Sequence, residues 1–243
     1  MTAITVAIDG PSGSGKSSVS RAVATTLGLT YLDTGAMFRA VTLWCLRQNI
    51  DLSDGERVAR VASDIPLEMV TDPLDPHVLL DGDIVDDALR SAELSARVSA
   101  VATNLLVRAH LADLQRQIIA SARLDGPGIV VEGRDITTKI APEAEHRILL
   151  SASEESRLAR RGAELEARGD AQGAADIHDQ VVRRDRDDAT VSNFREAAPG
   201  VHGIDTSPLT FKESVAAVLR VIDAPSGPQT NPKHQPSTPG GQR

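Results

Sequence analysis

Aromatic residues are scarce in this chain of 243 residues: one Trp, one Tyr and three Phe make up 2% of it. Proteins that bind single-stranded nucleic acid stack bases on exposed aromatic side chains, so the composition disfavours that class of function. The net charge of −8 also disfavours binding to nucleic acid or to an anionic membrane. The hydrophobic core must be built from Val, Leu, Ile and Ala, because 41% of the residues are still hydrophobic.

Cysteine and long apolar runs are also nearly absent. Cys45 is the single cysteine, so no internal disulfide can form, and its apolar surroundings predict a small core residue. No apolar run approaches the roughly 18 residues of a membrane span, and no basic segment followed by an apolar one opens the chain. We therefore expect a cytoplasmic protein without a signal peptide. Its acidic surface is compatible with a monomer, which we expect.

Low-complexity sequence is concentrated at the carboxyl end. Residues 224–243 contain five prolines and three glycines and too few apolar residues to bury a core. We predict that this tail is disordered. Residues 1–223 are then available for one α/β domain with insertions.

The remaining sequence alternates between strand and helix patterns. Buried-strand patterns occur at Ile4–Asp9, Thr30–Asp33, Ile129–Glu132, His146–Ser151 and Val201–Asp205. Helical patterns occur at Lys16–Leu27, Ala36–Gln48, Asp54–Ala62, Ser91–Ala102, Leu105–Arg123, Ser153–Arg168, Ala174–Asp185 and, after a capping box at Thr210 and Glu213, up to Ile222. This order predicts an α/β fold in which helices cover both faces of a central parallel sheet. Short extended pieces at Leu67–Val70, His77–Leu80 and Asp83–Val85 predict a small antiparallel insert at about 63–88.

The stretch GPSGSGKSS fits the pattern G-x-x-x-x-G-K-[ST] and lies between a predicted strand and a predicted helix. Glycines let successive backbone N–H groups turn towards an anion, and the helix N-terminus adds partial positive charge. Lys16 can reach the β- and γ-phosphates of a nucleotide, and the Ser17 hydroxyl can bind Mg²⁺. The residues predicted to hold the nucleotide phosphates are Gly10, Pro11, Ser12, Gly13, Ser14, Gly15, Lys16, Ser17 and Ser18.

Charged residues follow the ends of three predicted strands. The first strand ends at Asp9, the second in the run from Asp33 to Arg39, and the third in EGRD, residues 132–135. Ligands of parallel sheets bind beyond the carboxyl ends of the strands, so Arg39 and Arg134 are expected to face a second phosphate. Residues 157–195 hold eight arginines and no lysine. They predict either a salt-bridged solvated helix or a flexible lid over transferring phosphates.

Four segments in this order resemble the bacterial cytidylate kinase family, enzymes that phosphorylate CMP and dCMP: AIDGPSGSGKSSVSRAVATTLGL, YLDTGAMFRAVTL, VVEGRDI and RRDRDD. The resemblance spans about Ile4 to Ile222. It implies a three-layer P-loop kinase fold, with an inserted monophosphate-binding region and a short lid at about 157–191. It also implies ATP and Mg²⁺ as cofactors and CMP or dCMP as acceptor. Transfer would proceed by positioning and charge neutralisation, without a general base.

The resemblance also implies roles for individual residues. Ser99 and Arg108 would read the cytosine base, while Arg134 and Asp135 would contact the acceptor phosphate and sugar. The full predicted acceptor set is Thr34, Arg39, Ser99, Arg108, Arg134, Asp135, Arg184 and Asp188. The residues predicted to neutralise charge during transfer are Lys16, Arg134, Arg157, Arg161 and Arg184, with Arg160 as an alternative. Ser17 would bind Mg²⁺, and Asp33 would either orient the waters of the ion or serve only as a structural strand-end residue.

Two positions depart from the family pattern. Val191 stands where the family commonly has an arginine, so Arg186 or Arg195 would have to supply the missing charge. The segment TTKI, residues 137–140, stands where the family usually has Gly-Thr-Val-Val, and Thr137 cannot easily take the positive φ open to glycine.

Three other functions fit parts of the sequence. Arginines at strand ends would also serve a kinase for UMP, AMP or shikimate, and the choice of cytosine depends on the resemblance alone. A P-loop GTPase switch is suggested by DGPG at residues 125–128, but no N-K-x-D motif for guanine occurs in the chain. A protein that binds ATP with little turnover is suggested by Val191.

Overall fold

The computed structural model describes residues 3–167, 169 and 173–224. Its strands are β1 (Ile4–Asp9), β2 (Thr30–Asp33), β3 (Leu67–Val70), β4 (His77–Leu80), β5 (Asp83–Ile84), β6 (Gly128–Gly133), β7 (His146–Ser151) and β8 (His202–Asp205). Its helices are α1 (Lys16–Leu27), α2 (Thr34–Arg47), α3 (Gly55–Ser63), α4 (Asp86–Leu89), α5 (Ala92–Ala102), α6 (Leu105–Leu124), α7 (Glu154–Ala167), α8 (Ala174–His178), α9 (Arg184–Asp188) and α10 (Phe211–Asp223). Two π-helical turns lie at Ile136–Ile140 and Asp179–Arg183.

The central sheet has five parallel strands in the order β2-β6-β1-β7-β8. Its register pairs Asp33 with Glu132 and Asp9 with Gly133. The carboxyl ends of the three strands that precede the charged segments therefore meet at one edge of the sheet, as the sequence predicts.

Helices cover both faces of this sheet. Because successive side chains of a strand point to opposite faces, Val6 and Ile8 pack in a cluster with α1 and α10. Ala7, between them, packs in the cluster of α2, α3 and α6. The three-layer α/β prediction is confirmed.

Cys45 is fully buried in the cluster of α2, α3 and α6, where burial raises the pKa of its thiol to about 11. It is therefore a core residue, as predicted.

The insert is an antiparallel sheet in the order β3-β4-β5, followed by α4, a helix that the sequence analysis missed. Its apolar side packs on α2, where Leu80 and Leu89 join Ala40 in a separate buried cluster. The backbone N–H of Tyr31, on the edge strand β2, donates to the carbonyl oxygen of Thr71 at 2.8 Å. Arg21 of α1 donates to two carbonyl oxygens of the β3–β4 loop, at 2.7 Å each.

Differences from the predicted elements are small and have local causes. Helix α2 begins at Thr34, two residues early, because the Asp33 side chain caps it by accepting from the N–H of Ala36 at 3.0 Å. The helix predicted at Ala174–Asp185 is interrupted by the second π-helical turn and continues to Asp188. The predicted capping box at Thr210 is confirmed.

The predicted disordered tail lies outside the described residues, except for Ala224. Among the helices described, none is both long and apolar enough to cross a membrane.

Candidate active site

The loop between β1 and α1 forms a cradle of backbone N–H groups. Gly13 and Gly15 have φ of 74° and 86°, in the left-handed region that favours glycine. Gly15 is the N-cap of α1 and offers no side-chain acceptor to the first turn, which also contains no acidic residue. The first N–H groups of α1 are therefore available to an anion, and the helix dipole favours negative charge there. This geometry supports the predicted phosphate site.

Lys16 faces a buried carboxylate. Its Nζ lies 3.8 Å from Oε2 of Glu132, whose side chain is 1% exposed. The other oxygen, Oε1, accepts from the hydroxyl of Tyr31 at 2.8 Å. Burial lowers the pKa of Lys16 and raises that of Glu132. Because Oε2 has no hydrogen-bond partner, Glu132 attracts Lys16 without fixing it, and Lys16 is free to follow a phosphate.

Arg134 joins the P-loop to α9. Its Nη2 lies 2.9 Å from Oδ1 of Asp185, and its Nε lies 3.1 Å from Oδ2 of Asp188. Its Nη1 donates to the carbonyl oxygen of Gly10, and its guanidinium lies 4.5 Å from the ring centroid of the buried Phe194. Both aspartates are 4% exposed, so Arg134 neutralises two buried charges.

Several buried polar atoms near this cluster have no hydrogen-bond partner. Nε of Arg184 and Oδ1 of Asp188 are buried without a hydrogen bond, as is Oγ of Ser14 in the P-loop. Burial and the neighbouring Arg39 lower the pKa of Arg184 to about 9. Buried polar groups are normally paired, so these atoms indicate a site built for a polar, anionic ligand.

Two cavities meet at the P-loop and share Gly13, Lys16 and Ser17. The smaller, of about 160 Å³, lies over the strand ends, and the larger, of about 510 Å³, lies between the P-loop and the start of α10. The smaller cavity is lined by all but one of the predicted acceptor residues, namely Thr34, Arg39, Arg108, Arg134, Asp135, Arg184 and Asp188. The larger has Leu209, Thr210 and Phe211 at its far end.

Ser99 is the predicted acceptor residue that the structure places apart. Its Oγ is buried without a partner, but it lines a neighbouring cavity beside Arg183 and Asp187. One helical turn later, Ala102 lines the acceptor cavity together with Arg108. Ser99 therefore does not line the acceptor cavity with Arg108, and its buried Oγ is exposed to neither cavity.

Two arginines of α7, Arg157 and Arg160, contact backbone carbonyl oxygens of the P-loop. Arg157 pairs with Asp185 and donates to the carbonyl oxygen of Ser12 at 3.1 Å. Arg160 donates to the carbonyl oxygens of Ser14 and Thr206, at 3.3 and 2.5 Å. Arg161 lines both cavities and lies 3.0 Å from Oε2 of Glu164. A solvated helix alone does not account for these contacts, because two of the three arginines are bound to the P-loop.

Comparisons with known proteins identify relatives over about nine-tenths of the chain. A family model described as cytidylate kinase matches residues 6–224. The chain is 46% identical over 220 residues to a cytidylate kinase of Cutibacterium acnes, which covers 90% of this chain and 96% of that protein. It is 45% identical over 225 residues to one of Nocardia farcinica, covering 91% and 94%. It is 42% identical over 226 residues to one of Streptomyces coelicolor, covering 91% and 93%. The chain belongs to the cytidylate kinase family.

The two departures from the family pattern lie in contact with each other. The Nζ of Lys139 donates to the carbonyl oxygen of Val191 at 2.7 Å. Arg186 has an exposed side chain and pairs with Asp187 at 3.8 Å, and Arg195 is also exposed. Neither lines the acceptor cavity, so neither takes the place of an arginine at position 191 in this structure.

Thr137 needs no positive φ, because residues 136–140 form a π-helical turn. Its N–H and hydroxyl both donate to Oδ2 of the buried Asp9, at 2.8 and 2.6 Å, and the N–H of Ile136 donates to Oδ1 at 2.9 Å. The carboxylate that ends β1 therefore fixes this loop, and the threonine is accommodated.

The residues present fit a nucleotide-bound Mg²⁺, although the described ranges contain no cluster of three metal-ligating side chains. Magnesium keeps several waters and binds substrate phosphates, so it needs few protein ligands. Ser17 lines both cavities at the point where they meet. Asp33 also lines the acceptor cavity, but Oδ1 caps α2 and Oδ2 lies 3.9 Å from Arg39. Asp33 therefore has a structural role as the N-cap of α2.

Glu132 lies beside Lys16 of the P-loop, and the sequence analysis assigned it no role. We expect Glu132→Gln to lower kcat roughly tenfold, because burial lowers the pKa of Lys16 to about 8 and the charge of Glu132 counteracts that fall, so that less Lys16 stays protonated without it. The amide still accepts from Tyr31 and is less costly to bury than a carboxylate, so the melting temperature should hardly fall. Steady-state kinetics measures kcat, and thermal unfolding measures the melting temperature. Glu145→Gln, in the Arg123–Glu145 surface pair at the amino end of the sheet, is the matched control and should retain wild-type kcat. A wild-type kcat for Glu132→Gln would contradict this role.

Proposed function

We propose that this chain transfers the γ-phosphoryl group of ATP to CMP or dCMP and releases ADP with CDP or dCDP. The observation that carries the proposal is the meeting of two anion sites at Lys16. One is the N–H cradle of the P-loop, and the other is the arginine cluster around Arg134 and Arg184 in the adjoining cavity. Family membership assigns the acceptor.

The donor binds with its phosphates on the P-loop and its base in the larger cavity. The N–H groups at the start of α1 point at the phosphates, and Lys16 lies between the two cavities. The base then reaches Phe211, whose side chain is 54% exposed. An exposed phenyl ring at the end of a polar cavity offers a face for stacking.

The acceptor binds in the smaller cavity. Its phosphate lies among Arg39, Arg134 and Arg184, whose positive charges hold one of its oxygens in line with the γ-phosphorus. That oxygen is already ionised near neutral pH, so no general base is required. Asp188 has one carboxylate oxygen free for a sugar hydroxyl. The ion pair of Arg108 and Asp135 places a donor and an acceptor where a cytosine edge can be read.

Catalysis on this view is charge neutralisation in a site closed to water. Lys16 and the arginines stabilise the charge on the equatorial oxygens of the transferring group. The Ser17 hydroxyl, at the point where the two cavities meet, would hold Mg²⁺, and the ion would supply positive charge to the phosphates of ATP. Asp185 holds Arg134 and Arg157 together above the P-loop, so both arginines are positioned before substrates bind. Closing α7 over the phosphates excludes water and limits hydrolysis of ATP.

A panel of acceptors tests the proposal. ADP release from Mg·ATP is measured with CMP, dCMP, UMP, AMP, GMP, shikimate and no acceptor. Fast release with CMP and dCMP, and slow release without acceptor, is the expected result. Release with shikimate alone, or with a different nucleoside monophosphate alone, would replace CMP as the proposed acceptor. ATP binding without release on any acceptor would favour a binding protein over a kinase.

A further inference from the structure

Lys139 connects two segments that are distant in sequence. Its Nζ donates to the carbonyl oxygen of Val191 at 2.7 Å and lies 3.9 Å from Oδ2 of Asp135. The same Asp135 oxygen accepts from Nη2 of Arg108 at 2.5 Å, and Nη2 also donates to Oγ of Ser192 at 3.0 Å. Lys139 and Arg108 are therefore both close to the carboxylate of Asp135. Lys139 also contacts Val191, and Arg108 contacts the next residue, Ser192.

Those two residues lie directly after α9. The N–H groups of Val191 and Ser192 both donate to the carbonyl oxygen of Asp188, at 3.2 and 3.1 Å. Helix α9 also carries Arg184, which lines the acceptor cavity with Asp188. A shift of residues 191 and 192 must therefore move the end of α9 and the acceptor groups on it.

The geometry of Lys139 is more specific than that of a surface ion pair. Its side chain is 54% exposed, and exposed ion pairs by themselves contribute little. The hydrogen bond to a backbone carbonyl adds a directional contact. The π-helical turn holds its backbone, because the N–H of Lys139 donates to the carbonyl oxygen of Asp135 at 2.9 Å. The side chain is thus directed towards one carbonyl and one carboxylate.

We propose that Lys139 is a positioning residue for the acceptor nucleotide. It acts through Asp135, which it shares with Arg108, and through the backbone of Val191, which fixes the end of α9. The proposal rests on the function proposed above, because the acceptor site is the one that this kinase reaction uses. Lys139 does not line the acceptor cavity, so it acts on the nucleotide only through these neighbours.

The test compares three variants with the wild-type chain in the ADP-release assay. Lys139→Met removes the ammonium and keeps a long side chain, Lys139→Arg keeps the charge and a donor, and Lys212→Met removes the charge of an exposed lysine on α10. We expect Lys139→Met to raise the KM for CMP about three- to tenfold, which matches the loss of one charged hydrogen bond at a half-exposed site. The KM for ATP should change by less than about twofold. Lys139→Arg should restore most of the affinity, and Lys212→Met should match the wild type.

Each outcome decides the proposal. An unchanged KM for CMP in Lys139→Met would overturn it, and so would an equal rise in the KM for both substrates. Lys139→Arg with the defect of the methionine variant would also count against it, because a guanidinium can donate to the same carbonyl. A wild-type chain without turnover on CMP would instead refute the proposed function, so the two failures are distinguishable.

Discussion

Replacing Lys16 with alanine should lower kcat by roughly 10²–10³-fold, with a smaller loss of ATP affinity. Lys16 lies where the two cavities meet, and its charge acts most strongly on the negative charge that develops during transfer. The N–H groups of the P-loop remain in the variant, so the ground-state phosphates are still bound. Steady-state kinetics gives kcat, and titration with a fluorescent ATP analogue gives the affinity.

Folding must be separated from chemistry in this variant. Removing Lys16 leaves Glu132 buried without a cation 3.8 Å away, and burial already raises the pKa of that carboxyl. The group can take up a proton and remain hydrogen-bonded to Tyr31, so the chain should still fold. Thermal unfolding checks this, and Lys212→Ala is the matched exposed control. Nearly intact turnover in a folded Lys16→Ala variant would refute the assignment of the P-loop.

Replacing Arg134 with methionine should damage both acceptor binding and stability. Asp185 and Asp188 would lose their shared partner while buried, although Arg157 and Arg184 stay close to them. Breaking a buried ion pair costs about 3–5 kcal/mol, and the remaining arginines should reduce the loss in the free energy of unfolding to about 2–4 kcal/mol. The KM for CMP should rise and kcat should fall together, because Arg134 lines the cavity in which the acceptor phosphate is proposed to bind.

A second substitution distinguishes the two effects of Arg134. In Arg134→Met combined with Asp188→Asn, one unpaired buried charge is gone, so urea unfolding should recover part of the lost stability. Turnover should not recover, because Arg134 and Asp188 both line the proposed acceptor cavity. Arg123→Met, in the surface pair with Glu145, is the matched control and should cost about 1 kcal/mol or less without lowering kcat. Recovery of turnover with stability would show that Arg134 has a structural role only.

Most strands and helices of this fold follow from local sequence patterns, so the sequence predicts where they lie. Periodicity and glycine placed β1, the P-loop and α1 at their observed bounds. The register of Asp33 with Glu132 confirms the predicted meeting of strand ends. The rule for strand ends placed Arg134 beside the acceptor site, whereas Arg184 was assigned to it by the family resemblance, and both arginines line one cavity.

What the sequence could not predict depends on partners far along the chain. Glu132 reads as a strand residue, and its role follows from contacts with Lys16 and Tyr31, more than 100 residues away. The segments around Lys139 and Val191 looked like two separate departures, and their contact spans 52 residues. Ser99 and Arg108 were paired by family resemblance, but Ser99 does not line the cavity that Arg108 lines.

The contact between Tyr31 and Thr71 has a consequence for self-association. Strand β2 ends the central sheet, and a terminal strand offers free backbone donors and acceptors to any other extended chain. One of these donors is already taken by the segment that follows β3. Arg21 of α1 donates hydrogen bonds to the carbonyl oxygens of Pro73 and Leu74, which follow in the same segment. The insert therefore also covers this edge of the sheet, and shortening it past Thr71 would leave the edge open to intermolecular pairing.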